Sequence, residues 1–190
     1  NSGATTSLES RLGALERLEH VLISKRDLIL ESLSSDLAKP GVEAYLAEYY
    51  FVLQELRLVK RSLKKWLKPQ RVGSPVYFKP IRSEVRRSGY GVVLLYVPWN
   101  YPIQLALAPL ISAIAAGNTV IIKPAEDAPA SAGLLAEIIE ECYACEFVSV
   151  VRGGADVAEE LLLQPVDFIF FTRSTAIGKV VGESAGSRLI

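Results

Sequence analysis

Methionine is absent from this 190-residue sequence, cysteine occurs twice and histidine once. Each shortage closes off a class of chemistry. Cys142 and Cys145, with His20 far away in sequence, make a poor structural zinc site, so no metal is expected. A redox dithiol usually sits at the start of a helix after a strand, where the helix dipole lowers the thiol pKa. Cys-Tyr-Ala-Cys falls instead near the end of a helical pattern, which favours ordinary packing. An excess of charge is missing too: 21 basic residues face 21 acidic ones, so neither disorder nor a nucleic-acid footprint is indicated. No apolar run approaches the roughly 18 residues of a membrane span. The nearest candidate, residues 103–116, is interrupted by Gln104, Pro109 and Ser112. The chain therefore reads as soluble. No secretory or transit signal is legible, and an intracellular or organellar setting is favoured over a secreted one. A start at Asn1 without methionine is expected of a processed N-terminus or of a piece of a longer product.

What is present is enough for a core. Half the residues are hydrophobic, and a chain of this length buries roughly 70% of its unfolded surface. Residues 7–38 repeat Leu8, Leu12, Leu15, Leu22, Ile29 and Leu33 at helical spacing. Thr6 and Glu9 predict a capping box at the start, and Lys39-Pro40-Gly41 a stop. A second helix is predicted over residues 42–67, with Tyr45, Tyr49, Val52, Leu53, Leu56, Val59, Leu63 and Trp66 on one face. Residues 1–72 thus form a helical pair. The basic residues Lys60, Arg61, Lys64, Lys65, Lys68 and Arg71 read as a solvated face rather than a binding patch. Prolines punctuate residues 73–88, an extended arm in which Val76-Tyr77-Phe78 and Glu84-Val85-Arg86 suit a short hairpin.

From residue 89 the pattern changes. Apolar runs at 91–97, 119–123, 147–151 and 167–171 alternate with helical segments at 103–116, 130–142, 156–163 and 175–186. Strands apolar on both faces and separated by helices predict an α/β fold with a parallel, Rossmann-like sheet covered on both sides. The run from Asp167 to Thr172 is among the most hydrophobic, yet only one helical segment follows it. At a sheet edge it would invite aggregation, so another protein chain is expected to cover it.

Ligands in open α/β sheets sit beyond the carboxyl ends of the strands, and here those ends are polar. Asn100, held in Pro98-Trp99-Asn100-Tyr101-Pro102, is placed either to donate to an oxyanion or to cap the next helix. Lys123 and Glu126 suit ribose hydroxyls, although a salt bridge at a helix start explains them as well. Glu126 or Asp127 also lies where the dipole of the following helix favours a carboxylate. The turn Thr172-Arg173-Ser174-Thr175-Ala176-Ile177-Gly178 suits a phosphate, but it lacks a Gly-x-Gly-x-x-Gly spacing.

Taken together, Pro-Trp-Asn-Tyr-Pro, Gly-Asn-Thr-Val-Ile-Ile-Lys-Pro-Ala-Glu, Val-Val-Arg-Gly-Gly and Phe-Phe-Thr-Arg-Ser-Thr-Ala-Ile-Gly resemble the aldehyde dehydrogenase superfamily, in particular its class 3 or fatty-aldehyde branch. The resemblance runs over nearly the whole chain. It implies NAD or NADP as cofactor, an aldehyde substrate and a sheet of order 3-2-1-4-5. It further implies Asn100 as oxyanion donor, Lys123 and Glu126 at the adenosine ribose, and Ser174, Thr175 and Gly178 at the pyrophosphate. In the family a cysteine thiolate attacks the aldehyde and a glutamate-activated water releases the acid. The fifth strand, with its Glu-Leu-Gly-Gly segment, the nucleophile and the oligomerisation strand have no counterpart in these 190 residues. Arg173 stands where the family motif has glycine, and either obstructs the nicotinamide side or contacts phosphate. Two readings follow: a portion or degenerate relative of an aldehyde dehydrogenase that is inactive alone, or a non-catalytic structural subunit of a larger assembly.

Overall fold

Ser7 begins the first helix: its hydroxyl accepts from the Ser10 amide at 3.0 Å and caps α1, Leu8–Ser24. The cap is thus one residue later than the predicted Thr6, which lies outside the described residues. The structure, a computed structural model, describes residues 7–78, 80–172, 178–179, 181–183 and 186. The single helix expected over 7–38 is two, because Lys25 leaves helical geometry (φ −98°, ψ 16°) between α1 and α2, Arg26–Leu37. Both keep the predicted apolar stripe, with Leu15, Leu22, Ile29 and Leu33 buried.

The second predicted helix is continuous but not uniform. A short turn α3, Gly41–Glu43, passes into a π-helical stretch over Ala44–Tyr50 and then α4, Phe51–Trp66. Within the wider turn Glu48 is fully buried and Tyr45, expected on the apolar face, is exposed; beyond it Val52, Leu53, Leu56, Val59 and Leu63 are buried as expected, and Trp66, at the end of α4, is exposed. Of the predicted basic face, Arg61, Lys64, Lys65, Lys68 and Arg71 are exposed, whereas Lys60 is half-buried and, with Arg57, pairs across to Glu19 of α1 at 2.9 and 2.8 Å.

The predicted hairpin has a different first strand. Antiparallel pairing joins β1, Gln70–Val72, to β2, Ser83–Val85, with Arg71 opposite Glu84. Residues 76–78 form a single 3-10 turn instead. Pro75 and Pro80, which have no N–H to give a ladder, bracket that turn.

The parallel sheet follows the sequence closely. It consists of β3 (Val92–Tyr96), β4 (Thr119–Lys123), β5 (Val148–Val150) and β6 (Phe168–Phe171), in the order β5-β4-β3-β6. Connecting them are α5 (Gln104–Ala116), α6 (Pro129–Cys142) and α7 (Ala155–Leu162). The central strand β3 feeds both faces: Val93, Leu95 and Val97 enter one hydrophobic cluster, Leu94 and Tyr96 the other. The first cluster also holds Leu15, Leu18, Leu33, Leu56 and Leu63, so the N-terminal helices cover one side of the sheet through α5 and α6. Among the described strands β6 pairs with β3 alone and lies at the edge.

Charged side chains of the N-terminal helices meet the helix ends of the sheet layer with matched sign. Asp36 accepts from the Ala130 and Ser131 amides at 3.0 and 2.7 Å, at the start of α6. Arg17 donates to the Cys142 carbonyl at 3.1 Å at the end of that helix, and Arg11 to the Ala115 carbonyl at 3.0 Å at the end of α5. Such placement satisfies end groups that the helix itself leaves unpaired and complements the helix dipole.

Cys142 is buried and Cys145 exposed; both are free thiols. Burial, the main cause, pushes the Cys142 thiol from its ordinary 9.0 up to about 11. Burial likewise lifts the Tyr96 phenol from 10.0 to about 12. A raised folded-state pKa leaves stability intact below the unfolded value and removes it as pH climbs towards the folded one. Urea stability is therefore expected to hold up to about pH 9 and to decline from there to about pH 11 and above. Cys142→Ala should flatten the first part of that decline, as urea titrations at successive pH values will show.

Candidate active site

The β3 and β4 strands run side by side, with Tyr96 opposite Lys123, and the Val97 amide donates to the Lys123 carbonyl at 3.0 Å. Their carboxyl ends therefore emerge together. From the first end the chain turns through Pro98, Trp99 and Asn100 into α5. Asn100 and Trp99 are exposed there, which leaves the Asn100 amide accessible to a ligand. Capping of α5, the other reading of Asn100, falls to another residue: the Glu48 carboxylate accepts from the Ile103 amide at 2.9 Å and the Gln104 amide at 3.2 Å.

Lys123 is buried, and its ammonium donates to the carbonyls of Pro124 at 2.9 Å and Gly153 at 2.7 Å. It thus ties the end of β4 to the loop after β5. Glu126 is exposed, and with Tyr96, Lys123, Gly154, Ala155 and Ala158 it lines a cavity of about 50 Å³. A Cβ added at Gly154 would stand 2.9 Å from Glu126 Oε2, so a side chain there would displace the end of that carboxylate from its present position. A small cradle with one carboxylate and one ammonium suits vicinal hydroxyls, which donate to the former and accept from the latter. Tyr96 closes its wall, held by a hydrogen bond of 2.6 Å from its hydroxyl to the Ala158 carbonyl.

Arg173, Ser174 and Thr175 lie outside the described residues. Gly178 is described and helical, and a Cβ there would meet only an ordinary contact, 3.5 Å from the Phe171 ring. No group of three or more potential metal ligands occurs among the described residues. Within the same limits, no helix is long and apolar enough to cross a membrane.

Three residues that fix the strands and turns around the site, two beneath it and one at the far end of the sheet, went unread in the sequence. Glu48 and Lys39 form a buried ion pair beneath the Asn100 turn. The signal for Glu48 was an acid between Tyr45, Tyr49 and Val52 on the apolar face of a helix, a position that calls for a buried partner. Asn118 is the third: buried, it accepts from the Gly91 amide at 3.0 Å and donates to the Ala113 carbonyl at 3.1 Å, clamping the starts of β3 and β4.

A parallel sheet of this order, with helices on both faces and polar groups gathered at neighbouring strand ends, defines an open α/β protein, the class in which ligand sites lie beyond the carboxyl ends of the strands. The aldehyde dehydrogenase family model matches residues 2–190, and the chain belongs to that family. Among curated relatives, 4,4'-diaponeurosporen-aldehyde dehydrogenase of Staphylococcus aureus (strain NCTC 8325 / PS 47) is 38% identical over 190 residues, covering 100% of this chain and 41% of the relative. Aldehyde dehydrogenase family 3 member B1 of Rattus norvegicus is 36% identical over 189 residues, covering 100% of this chain and 40% of the relative. A substrate-bound structure of Staphylococcus aureus AldH superposes with a TM-score of 0.97 at 38% identity, over 99% of this chain and 41% of that one. The chain thus spans about two fifths of the length of the relatives it matches, and corresponds to their N-terminal part.

Proposed function

We propose that this chain is the cofactor-binding part of an NAD(P)-dependent aldehyde dehydrogenase and that it also contributes the oxyanion donor. The observation that carries the reading is the emergence of Asn100 and of the Lys123–Glu126 pair from adjacent strand ends. In this reading Glu126 accepts from the adenosine ribose hydroxyls and Lys123 fixes the strand end against Gly153. Bound NAD or NADP supplies the hydride acceptor. Asn100 donates to the oxygen that becomes negative when a thiolate attacks the aldehyde carbon, and a donor of that kind contributes about 2.7 to 4 kcal/mol. The thiolate and the general-base glutamate belong to residues outside this chain, which alone is inactive.

A second reading makes the chain a non-catalytic structural subunit. It is favoured by the two carbonyls that already hold the Lys123 ammonium. In either case further protein is proposed to cover the β6 edge, where Phe168 and Phe170 join Phe51, Leu105 and Ala108 in lining an open groove of about 530 Å³. Titration with NAD and with NADP by calorimetry separates the two readings. The enzyme reading expects saturable binding that weakens at least tenfold in Glu126→Ala, whereas absence of binding to the wild-type chain leaves the structural reading.

A further inference from the structure

We infer that Lys39 and Glu48 form a positioning device for Asn100, setting the direction in which its amide points. The inference rests on the proposed role of Asn100 as oxyanion donor. Lys39 is buried and Glu48 is fully buried, so the pair is no incidental surface contact. One oxygen of Glu48 receives the Lys39 ammonium, and the other receives the Ile103 and Gln104 amides at the start of α5. Lys39 continues beyond that clamp. Its ammonium also donates to the Asn100 carbonyl at 2.8 Å and lies 3.9 Å from the centre of the Tyr101 ring, on its face.

The turn has few other restraints. Pro98 and Pro102 have no N–H to give, and the described backbone bond that closes it on the helix side runs from the Leu105 amide to the Tyr101 carbonyl at 2.9 Å. Capping α5 requires Glu48 alone. The reach of Lys39 to the carbonyl of Asn100 is superfluous for that purpose, but it fixes the peptide plane from which the Asn100 side chain departs. Oxyanion donors act only when aimed within a few tenths of an ångström of the developing charge, and a misplacement of about 1 Å can cost about 100-fold in rate. The device is itself aimed: Ala38, immediately before Lys39, holds a left-handed conformation at φ +50°, which ends α2 and turns the chain inward.

The test uses the double variant Lys39→Met/Glu48→Gln, which leaves no unpaired charge in the interior and keeps an amide oxygen to accept from Ile103. Lys39→Arg is the conservative rescue, because it retains a cation able to donate. On the chain itself, NMR relaxation of the Asn100 side-chain amide is expected to show a rigid group in the wild type and in Lys39→Arg. In the double variant its order parameter is expected to fall below about 0.6, with the α1 and β4 amides unchanged. An unchanged Asn100 order parameter in a folded double variant overturns the inference. If the double variant does not fold, Lys39→Leu/Glu48→Gln, which likewise leaves no unpaired charge, is measured on the same criterion. In the complete aldehyde-oxidising protein that carries this segment, kcat is expected to fall at least tenfold in the double variant, with KM for the dinucleotide unaltered. A full kcat there, beside a crippled Asn100→Ala, rejects the positioning role alone. Turnover that survives Asn100→Ala rejects the oxyanion role and the positioning role together.

Discussion

Glu48→Ala is expected to lower the stability of this chain by about 3 to 5 kcal/mol, the cost of leaving one partner of a buried ion pair without its counter-charge. The loss has two sources. The Lys39 ammonium keeps the Asn100 carbonyl and the Tyr101 ring face, neither of which carries a counter-charge, inside a site where it is almost wholly shielded from water. The Ile103 and Gln104 amides at the start of α5 lose the acceptor that satisfied them. Urea denaturation reads the difference, and a drop below about 1 kcal/mol would show that water reaches the pair. Replacing both members with apolar residues of similar size is expected to recover the part of the loss that comes from the unpaired ammonium, since well-packed hydrophobic substitutes for buried ion pairs are often neutral, but not the part that comes from the Ile103 and Gln104 amides.

The second large effect belongs to turnover. Under the proposed function, Asn100→Ala in an aldehyde-oxidising protein that contains this segment is expected to reduce kcat by about 100- to 1000-fold, the range found when one oxyanion donor is removed. Stability should change by less than about 0.5 kcal/mol, because the residue is exposed and does not cap α5. Steady-state kinetics together with thermal unfolding separate the two quantities. A variant that turns over normally, or one that unfolds, would remove Asn100 from the chemistry.

The sheet was legible because its signal is local. Val92–Tyr96, Thr119–Lys123 and Phe168–Phe171 are short apolar runs between helical patterns, and the core on both faces follows from their composition. Asn100, Lys123 and Glu126 could be placed at strand ends by counting. What escaped depended on contacts distant in sequence. Lys39 read as part of a helix stop and Glu48 drew no reading, and nothing beside either in sequence points to a partner 61 or 55 residues away. The π-helical stretch, which holds the buried Glu48, escaped because periodicity at 3.6 residues does not record a wider turn. The hairpin was misplaced because Val76, Tyr77 and Phe78 have the composition of a strand, while the neighbouring prolines deny it a ladder. Gly154 belongs to the same group, since the close approach of Glu126 appears only when two loops are folded together.

A cofactor-bound structure puts the central claim to its most direct test. Crystals of the chain grown with NAD are expected to show the adenosine ribose over the β4 end, its hydroxyls within hydrogen-bond distance of the Glu126 carboxylate and beside Lys123, with Asn100 facing the space beyond the nicotinamide. Dinucleotide bound in the apolar groove beside β6, or away from the strand ends altogether, would contradict it.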